Sequence, residues 1–258
     1  MNGSYLEFAK QLAYEAGDIM KKNFLVAAHT WKIDATPLTE ADTTINRLVI
    51  EKIAERFPNH SVLGEEESVA KDGEMTWVCD PVDGTMPFSH GLPISTFSLA
   101  LCKNGQPFVG VVYDPFMDRL FWASTGEGAF CNGKKIKVNT LKLSENALID
   151  IEAYEKSIFP FRKPLDITLF ENGAKTTHLW SAIISAVLVA DGQFSGSIFC
   201  LDKPEDAAAV KIIVTEAGGV VTDLNGDEQR YDQPTKGFVA SNGVIHKDLI
   251  NLIKEATV

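Results

Sequence analysis

Residues 77–85 read Trp77-Val78-Cys79-Asp80-Pro81-Val82-Asp83-Gly84-Thr85. An apolar run of the kind found in a buried strand ends at one carboxylate and meets a second three residues on. Pro81 lacks an amide hydrogen and is expected to stop the strand ladder and fix a turn. Gly84 allows close backbone approach, and Thr85 is expected as the N-cap of a helix starting at Met86, with Pro87 in its tolerated first turn. Such a loop has two chemical faces. Its carboxylates and a carbonyl suit hard divalent cations, and the amides at the helix start suit a phosphate oxygen. Asp-Pro and Asp-Gly pairs are also ordinary turn chemistry, so the loop alone leaves both readings open.

Three more acidic sites flank it. A short apolar run, Ser61 to Leu63, ends in Gly64-Glu65-Glu66-Glu67-Ser68, a second acidic strand end that by itself could be a solvated face. Pro204-Glu205-Asp206 opens a helical pattern, where acidic residues complement the positive end of the helix dipole. Thr39 and Asp42 match a capping box with Asp in the usual Glu position. Each has a purely structural explanation. Their occurrence together, in this order, has none.

The rest of the chain supplies a scaffold. Leu6, Ala9, Leu12, Ala13, Ala16, Ile19, Met20 and Phe24 recur at helical spacing, and a second helix is expected from Thr39 to before Pro58. Strand patterns with turns at Asn104-Gly105, Asp114-Pro115, Gly126-Glu127-Gly128 and Asn132-Gly133 predict an antiparallel meander from Phe97 to Val138. Beyond it come a strand at Ala147 to Ala153, a helix at His178 to Ala190 and a strand at Ser197 to Cys200. A helix at Glu205 to Ala217, short strands near Val220 and Phe238 and a closing helix from Lys247 follow. This order implies layered α/β packing, sheets covered by helices. We expect one domain over residues 1–258, softly divided into an α+β half, 1–145, and an α/β half, 146–258.

Composition narrows the function. The 258 residues carry 24 Lys and Arg against 35 Asp and Glu, a formal net charge of −11. That disfavours a basic face able to displace counterions from nucleic acid, so no nucleic-acid partner is expected. At 45% hydrophobic and 23% charged the chain is globular in composition, neither disordered nor fibrous. Cys79, Cys102, Cys131 and Cys200 form no CxxC pair and read as core thiols in a reducing compartment. No signal-peptide pattern and no apolar run near the roughly 20 residues of a membrane helix is readable, so the expectation is a soluble cytoplasmic protein without a membrane partner.

Gly64-Glu65-Glu66, Asp80-Pro81-Val82-Asp83-Gly84-Thr85, and Asp206-Ala207-Ala208-Ala209 followed by Ile213-Val214-Thr215-Glu216-Ala217-Gly218-Gly219 together resemble the inositol monophosphatase family of Mg²⁺-dependent, lithium-sensitive phosphatases. Thr39 and Asp42 sit where that family places a Thr and an Asp ahead of these motifs. The resemblance implies an αβαβα sandwich, a homodimer and two or three Mg²⁺ ions. Glu65, Asp80 and the Val82 carbonyl would hold one ion; Asp80, Asp83 and Asp206 would hold another. A third, weaker ion would lie near Glu65. Thr85, linked to Asp42, with Thr39 and Glu65, would orient or deprotonate a water, and Gly84, Thr85, Asp206 and Lys32 would contact substrate. His90 is expected to be structural, and Met86, Phe88 and Phe97 to be core.

Four positions depart from the inositol-phosphate form: Phe199 at a substrate-contact position where that form has Glu, Trp180 in place of a small Gly, Pro87 in place of Asn, and Glu205 where many members have Trp. An aromatic ring cannot accept from a polyol hydroxyl. The resemblance therefore implies a phosphomonoesterase for a small metabolite, inositol-1-phosphate-like or a sugar phosphate. The alternatives are a histidinol-phosphate phosphatase or a nucleotide 3′-phosphatase of the same superfamily, or a non-catalytic metal-binding or assembly module. A phospho-aspartate phosphatase would need carboxylates two apart, whereas Asp80 and Asp83 are three apart.

Overall fold

In the computed structural model, residues 2–25, 30–32, 37–152 and 162–256 are described. Helix α1 (Asn2–Asn23) buries Leu6, Ala9, Leu12, Ala13, Ala16 and Met20, the stripe expected from its periodicity. Strands β1 (Thr30–Trp31) and β2 (Pro37–Leu38) pair antiparallel, and helix α2 (Glu40–Arg56) follows with Thr39 as its N-cap. Next come β3 (Ser61–Gly64), β4 (Met75–Asp83) and the short α3 (Thr85–Ser89). The meander is β5 (Thr96–Lys103), β6 (Gln106–Asp114), β7 (Arg119–Ser124), β8 (Gly128–Cys131) and β9 (Lys134–Lys135). Strands β3 to β9 form one seven-stranded sheet in sequence order, antiparallel except for the β3–β4 pair.

The second sheet has five strands: β10 (Leu148–Glu152), β11 (Lys175–Thr177), β12 (Gly196–Phe199), β13 (Val220–Thr222) and β14 (Phe238–Ser241). Their order is β11-β10-β12-β14-β13, mixed parallel and antiparallel. Helices α4 (Arg162–Glu171), α5 (Ala182–Ala190), α6 (Pro204–Glu216) and α7 (His246–Ala256), with a 3₁₀ turn at Leu143–Glu145, complete the described elements. Helices α1 and α2 cover one face of the large sheet, α5 and α6 lie between the sheets, and α4 and α7 cover the far face of the small one. The result is an αβαβα sandwich. All nine residues of α5 are buried, because a helix between two sheets has no solvent side.

Four local expectations are corrected. Pro81 does not end the strand: β4 continues to Asp83 through a register shift, in which Asp80 pairs with Ser98 but Asp83 with Thr96. Three residues on β4 thus span two on β5, and a bulge is where a missing amide hydrogen costs least. The cap of α3 is Gly84 at φ +77°, not Thr85, which is the first helical residue. Helix α5 begins at Ala182 rather than His178, because the chain takes φ +61° at Trp180. Finally, α4 and β11 escaped the pattern reading. Leu165 and Leu169 of α4 are buried while Ile167 and Phe170 are exposed, so apolar residues on both faces hide its stripe.

Candidate metal and phosphate centre

The acidic residues come together at the ends of elements from both halves. The bulge in β4 explains the central pair. Positions three apart on a regular strand point to opposite faces, and one inserted residue restores the parity that brings Asp80 and Asp83 to the same side. Helix α6 delivers Asp206 in its first turn, after Pro204 at its start. One oxygen from each of Asp80, Asp83 and Asp206 lies within 4.8 Å of the others, and all three residues are buried. A second group, Asp42, Glu65 and Glu66, gathers within the same limit.

Neutral donors hold Asp83 in place. Thr96 Oγ1 donates to Oδ2 at 3.1 Å, Ser181 Oγ donates to the same oxygen, and the Ala182 amide donates to Oδ1 at 3.1 Å. Asp80 Oδ1 accepts from the Val82 amide at 2.9 Å. Burial first, then mutual repulsion, pushes Asp80 well above the usual carboxylate range. Asp206 is raised to about 7 by burial, against the nearby Lys203 ammonium, with Asp83 and Glu65 adding to the rise. Asp83 is raised to about 7 by burial, against its hydroxyl donors. Among the described residues, no Lys or Arg forms an ion pair with any of these three. At an effective dielectric of 20, two full charges about 5 Å apart repel by roughly 3 kcal/mol. Hard oxygen donors, buried and crowded, with the Lys203 ammonium near but outside ion-pair contact, are the donor set that a hard divalent cation fits.

Glu65 is different. It follows Gly64, where a Cβ would meet Asn46 Oδ1 at 2.3 Å, so the turn after β3 closes tightly over α2. Lys203 Nζ reaches Glu65 Oε1 at 2.9 Å and Lys32 Nζ reaches it at 3.1 Å; Lys32 also pairs with Glu66. Burial alone would raise Glu65, yet the two ammonium groups hold it below its ordinary value. In all, seven carboxylates (Asp42, Glu65, Glu66, Asp80, Asp83, Glu205 and Asp206) face two lysines, a formal excess of five negative charges.

Asp42 closes the arrangement. Its Oδ2 accepts from the Thr39 amide at 2.8 Å and from the Thr39 hydroxyl, and burial raises it to about 7. Thr85 Oγ1 lies 2.9 Å from the Val82 carbonyl, to which it donates, and 3.4 Å from Asp42 Oδ1. Gly84 takes the left-handed turn at no steric cost, and any Cβ there would stand 2.6 Å from the Ile94 carbonyl, so the position excludes a side chain.

The expected site residues thus divide. Thr39, Asp42, Glu65, Asp80, Val82, Asp83, Thr85, Asp206 and Lys32 fall into one connected neighbourhood beside Gly84. Phe199 does not join it. Its ring is 2% exposed and packs against Phe238 at 5.4 Å, so the expected substrate contact is a core side chain. His90 is exposed and bonded to the Met86 carbonyl, while Phe88 and Phe97 are core. Lys203, Ser181 and Thr96 were missed as site residues. Lys203, next to Pro204-Glu205-Asp206, was the one with a sequence signal: a cation at an acidic helix start.

A family model described as the inositol monophosphatase family matches residues 1–257. A fructose-1,6-bisphosphatase/inositol-1-monophosphatase of Thermotoga maritima is 35% identical over 224 residues, 84% of this chain and 82% of that protein. A histidinol-phosphatase of Chlorobaculum parvum is 32% identical, covering 96% of each chain. Among solved structures, a Thermotoga maritima IMPase superposes with a TM-score of 0.90 at 30% identity, covering 98% of both chains.

Proposed function

The chain belongs to the inositol monophosphatase family, a family of phosphate-monoester hydrolases, and on that premise we propose that it is a Mg²⁺-dependent phosphomonoesterase acting on a small metabolite. The observation that carries this reading is the convergence of buried Asp80, Asp83 and Asp206 within 4.8 Å, with no Lys or Arg among the described residues in ion-pair contact with them. These three would hold one ion; Glu65, Asp80 and the Val82 carbonyl would hold another, with a third weaker position near Glu65. When bound, the ions would neutralise the phosphoryl oxygens and acidify a water so that it can attack near neutral pH.

The chain's own groups supply the rest. Thr85 stays hydrogen-bonded to the Val82 carbonyl and keeps lone pairs to orient a water, while Asp42, raised to about 7, is poised to take up a proton near neutrality. Thr39 holds Asp42 in place. Lys32 and Lys203 add positive charge beside Glu65, where an anionic ester would arrive. The amides of Gly84 and Thr85 would donate to phosphoryl oxygens. Without metal, seven carboxyl groups crowd the place where an anionic ester would sit against only two lysines, so ester binding should require metal.

The substrate is read more coarsely. A core Phe199 offers no acceptor to a polyol, which weighs against inositol phosphate as sole substrate and favours an amino-alcohol phosphate. The similarity to a histidinol-phosphatase supports keeping that reaction in view. No described helix is long and apolar enough to cross a membrane, and all four cysteines are free. We read a cytoplasmic enzyme, a homodimer by family expectation and open to lithium inhibition. The test is phosphate release from inositol-1-phosphate, histidinol phosphate, fructose-1,6-bisphosphate, 3′-phosphoadenosine 5′-phosphate and NADP⁺, with Mg²⁺ and with chelator. Mg²⁺-dependent release from at least one is expected; release from none would leave the non-catalytic module.

A further inference from the structure

Asp83 is gripped from the neighbouring strand as well as from α5. Asp80 stands opposite Ser98, so an unbroken ladder would set Asp83 opposite Ser95; the bulge in β4 sets it opposite Thr96 instead. Thr96 is fully buried, and its Oγ1 donates to Asp83 Oδ2 at 3.1 Å. A β-branched side chain has little freedom about its first torsion, so the strand sets the direction of that hydroxyl. Ser95, one position earlier and equally buried, turns its hydroxyl to the Gly84 carbonyl at 3.0 Å. The Ser98 hydroxyl, in the same cross-strand relation to Asp80, has no partner among the described residues. Adjacency across the ladder is thus not enough to make such a bond, and the bulge is what matches Thr96 to Asp83.

Solvation of a buried carboxylate does not call for this bond. The Ser181 hydroxyl already donates to Asp83 Oδ2 and the Ala182 amide to Oδ1, so both oxygens are satisfied without Thr96. What Thr96 adds is constraint. A carboxylate turns about its side-chain torsions, and donors on two elements, β5 and the start of α5, hold it in one rotamer. An ion shared among three side chains needs each of them held in place before it arrives, and a donor carried on a strand holds more firmly than one on a loop.

We propose that Thr96 is a positioning residue of the metal centre: its hydroxyl fixes the Asp83 carboxylate in the orientation that shares an ion with Asp80 and Asp206, and so sets the affinity for that ion. The proposal rests on the reading of the three aspartates as a Mg²⁺ site and goes beyond it in naming the group that tunes the site. Hydrogen-bond partners of ligating carboxylates typically carry about tenfold to a hundredfold in metal affinity. Thr96 acts through Asp83 and touches neither ion nor ester, so its loss should be felt in Mg²⁺ binding rather than in binding of the ester.

The test is calorimetric titration of Mg²⁺ into the native chain and its variants at pH 8, with turnover measured in parallel. Thr96→Val keeps shape and burial but cannot donate, and should bind Mg²⁺ about tenfold more weakly. Thr96→Ser keeps the hydroxyl and should stay within about threefold of the native affinity. Ser95→Ala removes an equally buried hydroxyl from the same turn, but one bonded to a carbonyl, and should also stay within about threefold. Where an ester is turned over, Thr96→Val should raise the Mg²⁺ concentration for half-activation by the same factor and leave KM at saturating Mg²⁺ within about twofold. Thr96→Ala takes the place of Thr96→Val if the valine variant does not fold. Unchanged Mg²⁺ affinity in Thr96→Val, an equal loss in Ser95→Ala, or no return of affinity in Thr96→Ser overturns the proposal. Absence of Mg²⁺ binding by the native chain overturns it together with the metal reading. The expected order of Mg²⁺ affinities without phosphate release from any ester would instead support the role of Thr96 and refute the phosphatase reading alone.

Discussion

Lowering the pH from 8 to 6 should weaken Mg²⁺ binding about a hundredfold. Asp83 and Asp206 sit at about 7, raised from an ordinary 3.8. Each is then about nine-tenths protonated at pH 6 and about one-tenth at pH 8, so each costs the ion about tenfold in affinity over that interval. Two such groups give about a hundredfold, and Asp80, raised further still, can only steepen the dependence. Calorimetric titration in buffers of different ionisation enthalpy should also count nearly two more protons released per Mg²⁺ at pH 6 than at pH 8. The stability of the metal-free protein follows with a definite sign. A carboxyl whose folded value lies above its unfolded one binds an extra proton when folded, and its contribution is lost as pH rises through about 7. Metal-free Tm should therefore fall from pH 5 to pH 8, and Mg²⁺ should restore more of it at pH 8. Glu65, held low by its lysines, acts in the opposite sense only near and below 4.5, outside this window. An Mg²⁺ affinity that changes less than about threefold between pH 6 and 8 would refute the reasoning.

Two substitutions probe separate parts of the centre. Asp206→Asn removes one of three crowded carboxylates, so turnover should drop about a thousandfold or more while Tm without metal holds or rises; near-normal activity would sink the two-ion assignment. Lys203→Met removes the closer ammonium from a buried Glu65, and urea unfolding with chelator should show a loss of about 3 kcal/mol that shrinks when Mg²⁺ is present; equal losses in both conditions would mean that Glu65 is no metal ligand.

The candidate metal carboxylates were legible because their signals are local. Acidic residues at strand ends and in first helical turns leave marks within a few positions: Asp80-Pro81-Val82-Asp83, Pro204-Glu205-Asp206, and the Thr39 to Asp42 box. The helices α1, α2, α6 and α7 and the meander were legible for the same reason, since 3.6-residue and 2-residue periods are set by neighbours along the chain. Where the apolar pattern is two-sided, as in α4 with buried Leu165 and exposed Phe170, period carries no direction and the element is lost.

What the sequence by itself determined, then, is the set of layers and the identity of the acidic groups. What only the tertiary structure decided is how those groups are paired. Asp80 and Asp83 share a face because β4 takes in an extra residue against β5, and a bulge is a property of two strands rather than one. Glu65 is held by Lys203 across 138 positions, and Asp83 by Ser181 across 98, contacts that exist only once α5 and α6 lie between the two sheets. Phe199 shows the same dependence: its position along the chain suggested a ligand contact, and its place opposite Phe238 in the register of β12 and β14 turned it into the core. Local chemistry names the residues, but charge and burial are sums over everything nearby, and the chain must fold before those sums have values.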